Sequence, residues 1–504
     1  MNQKEIQKLI NYIEENLRTS DETEVEFLDA RNYKPRLTNK QNQVIFGRRG
    51  SGKSLLMKTL NGEKNHLYIK TNLEDYKDTS FPNSILHVLN QFLKGVKGKI
   101  GKNIKWYEFG KLYKLQKLKK RISTKINHYD NQLTIPDKYD ESLKSKTTRA
   151  AEINGGVDKG PVKSSGKASY TGENESQKTY LRDKLSTIKN EIPALKELIK
   201  EISTANKWIP LFLGLDDFYF IRKLEQPFFI DFFHRLTKDT NLYIKVGTIR
   251  YRSKLYTTTE ESYVGTELGH DIQEIDLDYT LDRFDLLQTF LKELLDEAIK
   301  QSNSQLNSKD LFSENGFKQL CMASGGVPRD FLSLLLKLLN GISESQKINK
   351  IDVTEVAISN FRNKTDAFAK DSAEEKEVLE YYLAHLKDFL FNKKRTNMFL
   401  VCNPDLEEFP QISQAIKELM DLRMIHLVEP ITSAAPSDGK KYSAYMIDIG
   451  LYTNSKPRNF NQIEPGASDD KARKDKIRAS PRLNLTELSK ELKENNLQEL
   501  ELSQ

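Results

Sequence analysis

The sequence predicts an α/β chain: a P-loop NTPase core on a parallel sheet, then a helical lid, then a C-terminal winged helix. Three observations carry this. Gly47–Ser54 is a glycine-rich loop between a short apolar run and a helical segment. From Val44 to Ile299, apolar runs of strand length alternate with helical periodicities, the pattern of a parallel sheet covered on both faces. Beyond Glu374, helices are followed by two strand-like runs joined by a turn.

In chain order, Ile6, Leu9, Ile10, Ile13 and Leu17 recur at helical spacing and predict an amphipathic N-terminal helix. Residues 19–42 read as irregular. Val44-Ile45-Phe46 is a strand entering the glycine loop, and Ser54–Leu60 starts a helix. His66–Lys70 reads as a strand and Ile85–Leu93 as a helix. Residues 94–146 are basic and partly helical, and residues 147–178 are rich in Gly, Ser, Lys and Thr, as a flexible excursion or protruding hairpin would be. Residues 179–206 return to helical periodicity. Leu211–Leu215 is a buried strand that ends in two aspartates, Pro227–Leu236 a helix, and Leu242–Val246 and Ile272–Leu277 strands. Leu281–Ile299 and Gly316–Leu339 read as helices. Val378–Leu390 and Ile412–Leu422 read as the helices, and Met424–Pro430 and Tyr442–Ile449 as the hairpin, of the winged helix. Residues after Ser455 read as a linker, with one amphipathic helix at Leu483–Leu502. The expected units are 1–29, an N-terminal helix; 30–280, the core, with 94–206 inserted; 281–371, the lid; 372–455, the winged helix; and 456–504, linker and tail.

Composition fits this division. The chain has 504 residues, 37% hydrophobic and 30% charged, which suits about three folding units. The N-terminus lacks the basic start and apolar run of a secretion signal. No stretch of about 18 uncharged apolar residues occurs, so no membrane partner is expected. The two cysteines, Cys321 and Cys402, stand alone and exclude a disulfide framework. A reducing cytoplasm is the expected setting. The seven histidines are scattered without metal-ligand spacing.

The loop Gly47-Arg48-Arg49-Gly50-Ser51-Gly52-Lys53-Ser54 satisfies the strict phosphate-loop pattern, and Leu55 follows it into the helix. Glycines let successive N–H groups turn inward on a phosphate. Lys53 reaches the terminal phosphates of ATP, and the Ser54 hydroxyl helps hold Mg²⁺. At the end of LFLGLDD, Asp216 would fix Mg²⁺ through water and Asp217 would orient the attacking water. Lys53 and Asp216 lie unusually far apart in sequence, which is why 94–206 reads as an insertion. At the strand end Gly247-Thr248-Ile249-Arg250, a polar group can meet the γ-phosphate and an arginine can answer its charge; Arg252 competes with Arg250 for that role. In Gly325-Gly326-Val327-Pro328-Arg329, proline starts a helix and sets Arg329 in its first turn, within reach of a phosphate from the lid.

This ordered set resembles the AAA+ ATPases of the origin-recognition-complex type and their bacterial relatives, which border on the STAND signalling ATPases. The resemblance covers roughly residues 30–93 and 207–455. It implies Lys53 and Ser54 as first motif, Asp216 and Asp217 as second, Thr248 as first sensor and Arg329 as second sensor. Asp217 departs from the glutamate usual there, which implies slow, switch-like hydrolysis. The function expected is a nucleotide-driven switch that assembles as a homo-oligomer with DNA or an effector protein, as in bacterial anti-phage defence or mobile-element control. A DNA-loading ATPase and a nucleotide-stabilised scaffold are the alternatives.

Two segments are candidates for DNA. In the winged helix, Gln411–Arg423 is the expected recognition helix and Ser437–Lys441 the wing tip, with Lys417, Arg423, Lys440 and Lys441 placed for phosphates. Lys94–Lys125 holds one acid, Glu108, among its many cations and carries Trp106, Tyr107, Phe109 and Tyr113. A solvated helix face with its aromatics turned inward fits that stretch equally well.

Overall fold

The computed structural model describes residues 2–17, 26–61, 65–101, 109–134, 184–205, 209–258, 263–313, 315–342, 346–371, 376–452, 457–466 and 474–494. The stretch 147–178, Trp106, Tyr107 and the last ten residues lie outside these.

Helix α1 (Gln3–Asn16) buries Ile6, Leu9, Ile10 and Ile13 as its periodicity predicts. The stretch expected to be irregular contains α2 (Tyr33–Leu37), fixed by Asp29, whose carboxylate accepts from the N–H groups of Tyr33 and Lys34 at 2.5 and 2.9 Å. Five residues are little more than one turn, too few to register as a period.

The main sheet takes β1 (Gln43–Phe46), β2 (Leu67–Asn72), β3 (Leu211–Asp216) and β4 (Leu242–Thr248). A separate hairpin joins β5 (Tyr256–Thr258) to β6 (Tyr263–Gly265), and β7 (Gln273–Asp276) completes the sheet. The order is β2-β3-β4-β1-β7 and every pair is parallel. β1 and β3 are buried along their whole length, so they read as unbroken apolar runs rather than alternations. The register places Phe46 level with Thr248 and Asp276, and Asn72 level with Asp216. Glycine loop, paired aspartates and strand-end threonine thus emerge at one edge of the sheet, where ligands of open parallel sheets bind.

Around the sheet lie α3 (Lys53–Lys58), α4 (Asn83–Lys99), α5 (Phe109–Thr134), α6 (Ile192–Ala205) and α7 (Gln226–Thr237). The described helices of the inserted stretch are anchored: Leu115, Leu118, Ile122 and Ile126 of α5, with Leu195 and Ile199 of α6, join the core that α4 shares with the sheet. Lys97, Lys114, Lys117 and Lys120 are exposed. So is Tyr113, at 71%.

The stretch expected to be the lid comprises α8 (Phe284–Gln301), α9 (Ser308–Leu311), α10 (Gly316–Ser324), α11 (Pro328–Gly341) and α12 (Lys350–Asp371). The helical stretch Gly316–Leu339 is two helices, divided at the Gly325–Arg329 step where a helix start is expected. Gly325 and Gly326 adopt φ of 57° and 81°, which ends α10, and Pro328 opens α11.

The C-terminal part runs α13 (Lys376–Lys387), β8 (Met398–Cys402), α14 (Asn403–Glu408), α15 (Pro410–Asp421), β9 (Ile425–Ser433), β10 (Lys441–Ile447), α16 (Asp475–Arg478), β11 (Arg482–Leu483) and α17 (Leu485–Glu494). Its sheet has the order β11-β8-β10-β9, antiparallel except that β11 runs parallel to β8. Helix α17 lies within the stretch expected to be helical, Leu483–Leu502, but the described residues between Ser455 and that helix are more than a linker. Ile463, Ile477, Leu483, Leu485 and Leu488 are buried in the same core as the lid and this sheet.

A buried charge cluster ties lid to sheet. Asp448, just after β10, accepts from Lys364 of α12 at 2.7 Å and lies 2.9 Å from His426 of β9. Burial pushes the Asp448 carboxyl up, but Lys364 and His426 outweigh it and hold the group at about 2. A carboxylate depressed on folding contributes stability above its unfolded value, near 4, and loses it as pH falls toward 2. Burial also lowers the His426 pKa, and that contribution fades as pH drops below about 6.5. Acid titration by circular dichroism should therefore find the fold weakening below pH 4. Asp448→Asn should cost about 3 kcal/mol at neutral pH, because it strands the Lys364 ammonium, and should blunt that acid dependence.

Candidate nucleotide site

The loop between β1 and α3 is shaped by Gly50 and Gly52, at φ of 91° and 98°. A Cβ on Gly50 would stand 2.8 Å from the Cβ of Arg329, so only glycine lets the lid come this close. The N–H of Arg329 donates to the carbonyl of Gly50 at 3.3 Å. Lys53 is buried and donates to the carbonyls of Gly47 and Arg48 at 2.7 and 3.2 Å. Burial lowers its pKa, while Asp217 and Asp216 work to keep it charged.

A cavity of about 620 Å³ opens over this loop. Arg49, Gly50, Gly52, Lys53, Ser54 and Leu55 form one wall, Asp216 and Asp217 a second, and Arg329 reaches in from the lid. Asp217 sits at φ of 54°, a left-handed conformation that Asp tolerates better than most residues. Burial, and then the charge of Asp216, push its carboxyl upward.

Residues far apart in sequence thus line one cavity, but five of the expected site residues, Gly47, Arg48, Ser51, Thr248 and Arg250, lie outside its lining. Gly47 and Ser51 shape the loop from behind, and Arg48 turns away, donating to the carbonyl of Tyr279 at 2.9 Å. Thr248 is fully buried, its hydroxyl 2.5 Å from that of Ser253, and does not line the cavity. Arg250 points from the opposite side of the strand end. It bonds Glu274 and Asp276 at 3.0–3.2 Å over the ring of Phe46, where these acids at the end of β7 hold it. Arg252 lies over Tyr219, which borders the cavity. Residues not singled out beforehand also line it: Lys58, Lys70, Asn72, Glu74, Gln91 and Lys99. A polar residue closing the strand HLYIK was the available sign for Lys70.

The donor set suits a nucleoside triphosphate with Mg²⁺. Cations and inward-turned N–H groups face where phosphates would lie, and Ser54 and Asp216 offer the oxygen ligands that a hard cation takes. Among the described residues no group of three or more His, Cys, Asp or Glu could hold a metal on its own, so remaining ligands would be phosphate and water oxygens.

The sheet order, the loop and the paired aspartates at one edge define a P-loop ATPase. The profile of the ORC-CDC6-like family matches residues 15–315, more than half of the chain. The chain belongs to that family. Among solved structures it is similar to the Walker-type ATPase of Pyrococcus abyssi (12% identity, 84% of this chain and 95% of that one, TM-score 0.38). It is also similar to the Aeropyrum pernix ORC1 protein in complex with DNA (12% identity, 88% of each, TM-score 0.29). No curated protein matches the sequence. No helix among the described residues is long and apolar enough to cross a membrane.

Proposed function

We propose that the protein is an ATP-binding and hydrolysing switch in which the lid reads the γ-phosphate and the C-terminal part, a winged helix, follows the lid. One observation carries this reading. Arg329 lies against the phosphate loop, and its neighbour Asp330 is ion-paired with Arg423, just past α15, whose Nη1 donates to both carboxylate oxygens at 2.7 and 2.9 Å. A shift of Arg329 toward a phosphate would pull on the C-terminal part directly.

A second connection runs through the core. The N–H of Tyr251, just past β4, donates to Asp421 at 2.8 Å, and Lys223 pairs with the fully buried Glu418 at 2.9 Å. Burial pushes the Asp421 carboxyl up to about 7. Charged contacts of this kind can be exchanged for water when the parts separate, which suits an interface meant to open.

In this scheme Lys53 and Arg329 hold the triphosphate, Ser54 and Asp216 hold Mg²⁺, and Asp217 orients the attacking water. Bound Mg²⁺ would supply electrostatic stabilisation of the transferred group. Arg329→Ala should weaken ATP roughly tenfold or more, the worth of one charge-assisted hydrogen bond, and leave ADP nearly unchanged. Fluorescent-nucleotide titration measures both; equal losses for ATP and ADP would remove the lid from γ-phosphate reading.

A second reading, direct action on DNA, is favoured by the exposed Lys97 of α4 and the exposed Lys114, Lys117 and Lys120 of α5. The expected recognition helix spends part of its polar face on the core, through Gln414, Glu418 and Asp421. DNA would then have to meet these lysines or Lys440 and Lys441. Hydrolysis stimulated by DNA, with a steep salt dependence of binding, would favour it; indifference to DNA leaves a protein partner.

A further inference from the structure

Lys70 stands one strand away from the aspartates, in the same cavity as Lys53 and Arg329. The register of β2 on β3 pairs Lys70 with Gly214 and Asn72 with Asp216. Alternation along a strand sets Lys70, Asn72, Gly214 and Asp216 on one face of the sheet. Lys70 leans along that face, and its Nζ lies 2.9 Å from Oδ2 of Asp216.

The other oxygen, Oδ1, is already engaged. It accepts from the N–H of Asp217 at 3.1 Å, and β4 closes over it so tightly that a Cβ on Gly247 would stand 2.7 Å away. Asp216 is 1% exposed, whereas the Lys70 side chain is 31% exposed. Oδ2 is thus the oxygen through which Asp216 meets the cavity, and an ammonium covers it.

An ammonium and a divalent cation repel each other strongly when both press on one buried carboxylate oxygen. The metal must wait until the lysine has another anion to hold. Inside this cavity the γ-phosphate of ATP is such an acceptor, and a charge-assisted bond to it replaces the one given up. ADP offers no γ-phosphate.

We propose that Lys70 is a positioning residue that guards Asp216, so that tight divalent-metal binding requires a γ-phosphate. This rests on the nucleotide-site reading above and adds a condition to it: the site admits its metal as a triphosphate state and resists it as a diphosphate state.

The test is Mn²⁺ binding to the full chain, read from the electron paramagnetic resonance signal of the free ion. It is done with ADP and with a non-hydrolysable ATP analogue, each corrected for the nucleotide's own affinity for Mn²⁺. Wild type should bind Mn²⁺ about 5–150-fold tighter with the triphosphate, the usual range of coupling between two ligands. Lys70→Met should tighten Mn²⁺ in the ADP complex and collapse that preference, and Lys70→Gln carries the same expectation should the first variant fold poorly. Lys70→Arg, which keeps the cation, should retain the preference. A merely structural lysine would not make metal binding stronger when removed. Unchanged or weaker Mn²⁺ binding to the ADP complex of Lys70→Met or Lys70→Gln overturns the proposal. Asp216→Asn separates the two levels: normal Mn²⁺ affinity in that variant would unseat the metal site itself, whatever Lys70 does.

Discussion

Lys53→Ala should lose ATP binding by at least about 100-fold. The lysine is a buried cation of the loop that lines the cavity, and its present partners are the loop's own carbonyls at Gly47 and Arg48. A triphosphate offers it charged oxygens instead. Each charge-assisted bond is worth about 1.5–3 kcal/mol, so losing two of them already exceeds 100-fold. The same substitution leaves Asp216 and Asp217 facing the phosphates with Lys70 alone of the two lysines that now offset their charge. Calorimetric titration with ATP and ADP measures the effect, and near-native affinity would refute the assignment of the cavity.

Asp217→Asn should behave in the opposite way. ATP and Mg²⁺ binding should persist, because Lys53, Ser54 and Asp216 are untouched, while hydrolysis should drop by about 10²–10⁴, the usual worth of a positioned base. Asp217→Glu is the more searching variant. Glutamate reaches one methylene further toward a water, so single-turnover hydrolysis should quicken. It is also less at ease in the left-handed conformation at this position, so the melting temperature should fall modestly. If the wild-type chain already turns over several times per second in a single-turnover assay, the short carboxylate is not a brake.

Much of this site was legible because its parts obey local rules. The glycine loop needs backbone freedom at fixed spacing, the aspartates need an apolar strand to carry them, and Gly325–Arg329 pairs a helix stop with a helix start. Each rule acts over a few residues and leaves a signature in sequence. What escaped depends on neighbours. Thr248 ends β4 and Arg250 follows it, but sequence does not say that Ser253 would take the hydroxyl or that Glu274 and Asp276, from another strand, would draw the arginine aside. Lys70 meets Asp216 only because β2 lies beside β3, and strand order is not written in either strand. The expected recognition helix gave up its acids to the core for the same reason: Lys223 and Tyr251 come from distant segments.

The two-residue strand β11 is too short to show any period, yet it occupies the outer place beside β8, and the N–H of Leu400 donates to the carbonyl of Pro481 there at 2.8 Å. β8 is apolar and buried throughout. Cleavage by a protease in the stretch that leads up to β11 would peel away this cover and leave β8 with a row of open backbone groups. An apolar strand bared in that way recruits other strands, so these few residues act as a guard against clumping between molecules.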